Sequence, residues 1–258
     1  VKADNAYNGD ASESDQTAKT AKTAKTAKTA KTVAVGFAGG TSQFAGSGSV
    51  TVNVINQTTD ATIGKGKYDA GQKAAQVAAT STAKLFGLAG GVSLSAGSGL
   101  GAAVDVQTYK GHTYAGLADG ASLTNASSAH VNAESAEHMT SIAATGAGGA
   151  GSFAGAGAAG AHSIATDTKA YIGQQSEVTE AGVVSVTAKD ETKLNTVAGS
   201  GAASGNTGVG LTAAVEVVDK KVSASVGDGA NVTGDTLTVK ADNTSSSVTA
   251  AAGLGAAG

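Results

Sequence analysis

The chain has 258 residues, 38 of them Gly, with aromatics at 3% and a formal net charge of −3. It contains no Pro, Cys, Trp or Arg. The charge excludes a general affinity for nucleic acid, the missing Cys excludes disulfides and thiolate metal sites, and the scarcity of large side chains excludes a thick globular core.

What remains is an apolar fraction of Ala and Val, which makes a thin core. Thin cores suit solenoids, in which each coil touches only its neighbours. Zero Pro suits an uninterrupted backbone ladder, since every Pro removes a donor. The uncharged stretches 33–59 and 85–104 are too rich in Gly, Ser and Thr for a membrane-spanning helix. A membrane barrel would want aromatic girdles, and these are missing.

In chain order, residues 1–16 read as the end of a preceding repeat, because VKADN at Val1 recurs at Val239. Residues 17–32 are a copied triplet, TAKTAKTAKTAKTAKT, carrying Lys19, Lys22, Lys25, Lys28 and Lys31. A three-residue period clashes with the two-residue period of a strand: successive lysines would point in and out, burying half of them unpaired. A helix of this composition is marginal. In an extended three-fold conformation all five lysines would line one edge. The run is therefore expected to be a solvated loop at an insertion-tolerant turn. Its five lysines are the candidates for contact with an anionic ligand, although no nucleic-acid partner is expected.

Residues 33–85, 86–139, 140–194 and 195–246 form successive repeats, and 247–258 begin another. Three landmarks recur. The first is an alternating apolar run: VTVNVI at 50–55, AAVDV at 102–106 and LTAAVEVV at 211–218. The second ends in Gly, at Gly64, Gly116, Gly173 and Gly227, with spacings of 52, 57 and 54 residues. The third is a short strand beginning at Val77, Val131, Val186 and Val239, with spacings of 54, 55 and 53. The period is therefore near 54. Both ends fall within a repeat, so a segment of a longer array is expected.

Each repeat opens with an uncharged Gly/Ala/Ser block. Charged groups such as DKK at 219–221 and AKDETK at 188–193 are assigned to turns. The alternation of V-T-V-N-V and L-T-V-K-A marks half-buried strands. No 3.6-residue period is sustained, and NAESAEHM at 132–139 is the best helix candidate. A 54-residue unit is expected to supply two to three coils of about 18–27 residues. Stacked at about 4.8 Å, these would build a rod about 50–70 Å long, with Gly at the corners of positive φ. The predicted class is all-β, a parallel β-solenoid.

Few motifs carry chemistry. GAGGAG at 146–151 matches a dinucleotide fingerprint in letters alone, since the strand, helix and acid that motif needs are missing. GKGK at 64–67 lacks phosphate-loop spacing. His130, Glu134, Glu137 and His138 lie close in sequence, but three at even spacing on a polar segment read as a repeat connection, not a metal site. GDGANVTGD at 227–235 reads as a turn, without the tandem pattern of calcium-binding nonapeptides. Asn56, Asn125, Asn231 and Asn243 head N-x-S/T sequons in a chain rich in Ser and Thr. The dispersed acids and absent Arg offer no convergent site for polysaccharide cleavage. A flat T-x-T ladder for binding ice is likewise missing. No catalytic, cofactor-binding or metal residue is assigned. For a glycan, the stacking candidates are Tyr68, Tyr109 and Tyr114 in the segments 65–76 and 107–114.

The Gly/Ala blocks, the VxV strands, AYIG at 170–173 and GDGANVTGDTLTVKAD at 227–242 together resemble the large filamentous adhesins of Gram-negative bacteria. The likeness is to leukotoxin-type filamentous adhesins and, more loosely, to filamentous haemagglutinin. It covers the whole chain apart from the triplet run. It implies a right-handed parallel β-helix, type V export and residence at the cell surface. The expected function is a non-enzymatic stalk or fibre for attachment, whose partners are the rest of the array, further copies, or a host receptor or glycan. Alternatives are a receptor- or glycan-binding region, a polysaccharide-active β-helix enzyme, and a silk- or amyloid-like fibre subunit, for which GSFAGAGAAGA at 151–161 is the motivating stretch.

Overall fold

The computed structural model describes residues 21–258, and every regular element in them is a strand. The long strands are β1 (Ala21–Gly40), β2 (Phe44–Ile63), β4 (Ala74–Ser95), β5 (Ser98–Leu117), β7 (Ser128–Gly149), β8 (Phe153–Ile172), β9 (Glu177–Ser204), β10 (Thr207–Val226) and β11 (Asn231–Ala257); β3 (Lys67–Asp69) and β6 (Ser122–Thr124) are short. Sheet A takes β1, β4, β7, β9 and β11, with β6 and β3 alongside the start of β9. Sheet B takes β2, β5, β8 and β10. Every pairing is parallel.

The register shows how the repeat is used. Ala21 pairs with Gln76, Phe44 with Ser98, Ala74 with Ser128, and Ser128 with Val183, offsets of 54 or 55 residues. One circuit of the chain through both sheets therefore consumes one whole repeat. The expectation of two to three coils per repeat is corrected accordingly. Strands of 20 or more residues make each circuit about 65 Å wide, while five stacked strands rise only about 20 Å. The described residues form a wide, shallow slab in place of the expected rod.

Side chains alternate along most of each long strand, with a break near the start of β9, where Val178, Ala181 and Val184 are all buried and the register with β11 shifts. Val77, Val131, Val186 and Val239 stand in one column of sheet A, as the third landmark predicts. The Gly landmark is corrected at one point. Gly173 and Gly227 donate to the carbonyls of Leu117 and Ile172, and Ala118 occupies the equivalent place by donating to Ile63. Gly116 lies two residues earlier, within β5. Positive φ occurs at Gly71, Gly120 and Gly229, as expected for corners, but also at Gln72, Asn125 and Gln175.

Three further expectations change. Residues 132–139 are strand, not helix: Ala133, Ser135, Glu137 and Met139 point inward, and both neighbouring strands saturate the backbone. The charged groups 188–193 and 219–221 lie within β9 and β10, not in turns. Residues 21–32 of the triplet run are not a loop but the first half of β1, paired along its length with β4. The cost that argued against a strand is avoided by position. Among the described residues β1 lies at the end of sheet A, so its inward lysines keep access to solvent. Lys22 and Lys28 donate to the carbonyls of Thr62 and Asn56 on β2, at 2.7 and 2.8 Å. Residues 1–16, and Lys19 with the start of the run, lie outside the described residues.

The interior is striped across its width. At the end nearest the short strands, Val77, Val131 and Val186 pack with Ile63, Leu117 and Ile172. Further along, Leu85, Met139 and Leu194 of sheet A meet Ile55, Tyr109 and Ile164 of sheet B. Beyond them the buried apolar residues are all Ala, as at Ala89, Ala143, Ala198, Ala103 and Ala158, with Ser93, Thr145 and Ser200 among them. Polar seams lie between these stripes.

Candidate functional site

Two groups of residues carry the chemistry of the molecule: a polar seam between the sheets and an aromatic patch outside sheet B. The seam is built from inward positions of neighbouring strands. Glu137 of β7 and Asp190 of β9 are completely buried. Glu137 accepts hydrogen bonds from Ser135 and from Thr192 at 3.0 Å. Asp190 accepts from Thr168 at 3.1 Å and is 2.6 Å from Lys220 Nζ on the opposite sheet. Burial, then the charge of Asp190, pushes the Glu137 carboxyl up to about 7, against the pull of Ser135, Thr192 and Lys220. The pair can store a proton. It has no exposed surface through which a polymer could reach it.

A second stretch of the seam holds Asp105, Gln107, His162 and Glu216. Asp105 accepts from Thr51 and from Gln107 at 2.9 Å. His162 Nδ1 lies 3.1 Å from Thr196 Oγ1. Burial lowers the His162 pKa despite Glu216 and Asp105, so the ring is neutral at pH 7 and its 3.9 Å approach to Glu216 is no ion pair there. Burial opposes ionisation of Glu216, but hydrogen bonds from Ser247, Thr196 and Thr249 outweigh it and hold that carboxyl below its ordinary value.

The outer patch comes from outward positions of β5 and β8. Tyr114 donates to Asp167 at 2.8 Å and meets His112 Nδ1 at 3.1 Å. Burial, then the hydrogen bond to Asp167, pushes the phenol up to about 12. Tyr171 lies across Gly116, where a Cβ would come within 2.5 Å of its ring, and its hydroxyl reaches Thr62 at 3.2 Å. Lys169 Nζ stands 4.8 Å from that ring's centroid. Beside them is a cavity of about 560 Å³ lined by Asp119, Lys169, Tyr171, Gln174 and Ser225 among others. Tyr171 belongs to the AYIG landmark. Sequence reading treats that landmark as a turn and misses the ring. The signal that finds it is the Gly one repeat earlier, which leaves the ring its seat.

The candidate residues from sequence are scattered by the fold. Tyr109 is 0% exposed and cannot stack on a glycan: it is an inward residue of β5, in contact with Ser81 at 3.3 Å, and burial raises its pKa. Tyr68 on β3 is half-buried against the apolar cluster. Tyr114 remains at the surface. The lysines do not share one edge. Lys22 and Lys28 point inward, whereas Lys25 and Lys31 point outward, Lys31 over the Phe86 ring at 5.5 Å. Glu137 faces inward, while His130, Glu134 and His138 face out, with Glu134 3.5 Å from Lys189. Among the described residues no group of three or more acids and histidines could hold a metal ion, and no helix is long and apolar enough to cross a membrane.

Compared with known proteins, the chain matches no family model, no curated protein and no solved structure.

Proposed function

We propose that the chain is a non-enzymatic structural segment of a long surface or secreted filament, of the kind the Gram-negative filamentous adhesins build. In this reading it is a right-handed β-solenoid stalk in which each repeat is one coil. The observation that carries it is the register: in both sheets equivalent residues of successive repeats pair at offsets of 53 to 55 positions along most of each long strand. Such an architecture extends by adding repeats and needs no ligand to fold. The fully enclosed Glu137–Asp190 pair supports a structural role for the acids over a polysaccharide-cleaving one.

A second reading, that this segment itself holds a glycan or receptor, is favoured by the Tyr114–Tyr171 patch and the cavity beside it. One experiment addresses both. The chain is applied to a glycan array and incubated with pectin-like and sialylated polymers. A stalk binds nothing and releases no reducing ends. Turnover would overturn the non-enzymatic reading. Array binding abolished by Tyr171→Ala would establish the second one.

A further inference from the structure

The two outer faces divide along their width. In sheet B, the outward positions of 44–54, 98–108, 153–163 and 207–217 include no charged residue, while the other half of the same face carries Lys110, Asp167, Lys169 and Lys221. Sheet A repeats the pattern in its Gly-rich half. These residues are far out in solvent: Val50, Val52 and Val54 are 63%, 56% and 63% exposed, and Leu94 is 52% exposed. Four strands, each uncharged over about 35 Å and carrying outward hydroxyls only at Ser98, Thr108, Ser163 and Thr207, present about 700 Å². That is close to the roughly 800 Å² per partner of a stable protein interface, and larger than the apolar patches monomers ordinarily leave open.

The faces differ in relief. Sheet B carries a ridge, where Val50, Val52 and Val54 of β2 stand beside Val104 and Val106 of β5. Sheet A carries a hollow of about 340 Å³, floored by Gly146 and Gly201 and walled by Val92, Leu94 and Leu254. One molecule thus has an apolar ridge on one side and an apolar depression on the other. We infer that the occupant of each face is a second copy of this chain, the sheet B ridge of one copy seated in the sheet A hollow of the next. Such a contact is heterologous and does not close, so slabs stack sideways, at right angles to the direction in which repeats are added.

A lipid surface fits less well. Among the described residues β1 pairs with β4 alone and β10 with β8 alone, and the unpaired backbone of such edges cannot sit in hydrocarbon. A charged partner finds no complementary group on either half-face. The inference does not depend on the surface-filament reading.

The test uses the full chain and two outward substitutions that leave the core untouched, Val52→Lys on sheet B and Leu94→Lys on sheet A. Sedimentation velocity is expected to show the parent chain as a concentration-dependent series of oligomers and each variant as a monomer. An equal mixture of the two variants should form a 1:1 dimer, because each retains the face the other lacks. Circular dichroism confirms that both variants keep their strand content. A parent chain that stays monomeric at about 100 μM would overturn the proposal. So would a mixture that stays monomeric, or a Leu94→Lys variant that still self-associates. Co-flotation of the parent with phosphatidylcholine vesicles in place of self-association would assign the faces to lipid instead.

Discussion

Glu137 sits where a repeat made almost wholly of small side chains places a carboxylic acid completely inside. Asp190, Ser135, Thr192 and Lys220 face it, and burial together with Asp190 raises its pKa from 4.5 to about 7. The sign of the consequence follows. An unfolded Glu titrates near 4.5, so between there and about pH 7 the folded chain binds the extra proton. The stabilisation is complete below pH 4.5 and is lost as pH climbs through 7, a swing on the order of 3 kcal/mol. Chemical denaturation of the parent chain should therefore show stability falling from pH 5 to pH 8. Glu137→Gln should flatten that decline and leave the variant at least as stable as the parent at pH 8. An unchanged slope would place the titrating proton elsewhere. None of this is legible from HVNAESAEH as a string. Four titratable residues look equivalent there, and only the pleat separates inward Glu137 from outward His130, Glu134 and His138.

Among the elements, β1 is where the sequence pattern and the structure diverge most. Read inward, its positions run Lys22, Ala24, Thr26, Lys28, Ala30, Thr32; read outward from 23, they run Thr, Lys, Ala, Thr, Lys. Both faces show the same cyclic order, so sliding the triplets by one unit exchanges the faces without changing either. A strand normally resists slippage because a slip exposes its apolar face; this one has no apolar face to expose. Its register is held by 33–40, which pair with 88–95. The three-residue period argued against a strand because it buries lysine, and that argument holds only for an interior strand. Among the described residues β1 ends sheet A, and at such an end inward lysines do what charged edge residues do generally, discouraging another chain from adding to the edge. Replacing both Lys22 and Lys28 by Leu should leave the circular dichroism spectrum unchanged and increase light scattering on concentration or heating. Equal scattering from variant and parent would remove the edge-protecting role. The longer strands were hidden for a related reason: their inward positions include Ser81, Ser135, Asp190 and Thr192, so hydrophobic alternation breaks although the pleat does not.

For the whole molecule, the 54-residue period was readable from the Val77, Val131, Val186 and Val239 column, whereas the number of turns inside it was not. Assigning charged groups such as 188–193 and 219–221 to turns divides each repeat into short coils, whereas those groups lie within strands. In the structure each Gly/Ala/Ser block is strand on both sides of one short turn, at 41–43, 96–97, 150–152 and 205–206, and Gly and Ala bring the two sheets close where nothing larger fits: at Gly99 a Cβ would lie 2.5 Å from the Gly148 carbonyl oxygen of the facing sheet. The two readings differ in shape by a measurable amount. With one circuit per repeat, the stacking axis advances about 4.8 Å for each 54 residues, and width stays near 65 Å however many repeats are joined. With two or three coils per repeat, each addition would lengthen the body by about 10–14 Å and the width would be far smaller. Solution X-ray scattering on the chain, and on a version carrying residues 86–194 in duplicate, separates them. The face-disrupting Val52→Lys background keeps both proteins monomeric if the slabs stack. The duplicated version should be about 10 Å taller with an unchanged 65 Å dimension. Growth of 20 Å or more, or a longest dimension that scales with repeat number from the outset, would restore the narrow rod and remove the physical basis for broad lateral faces.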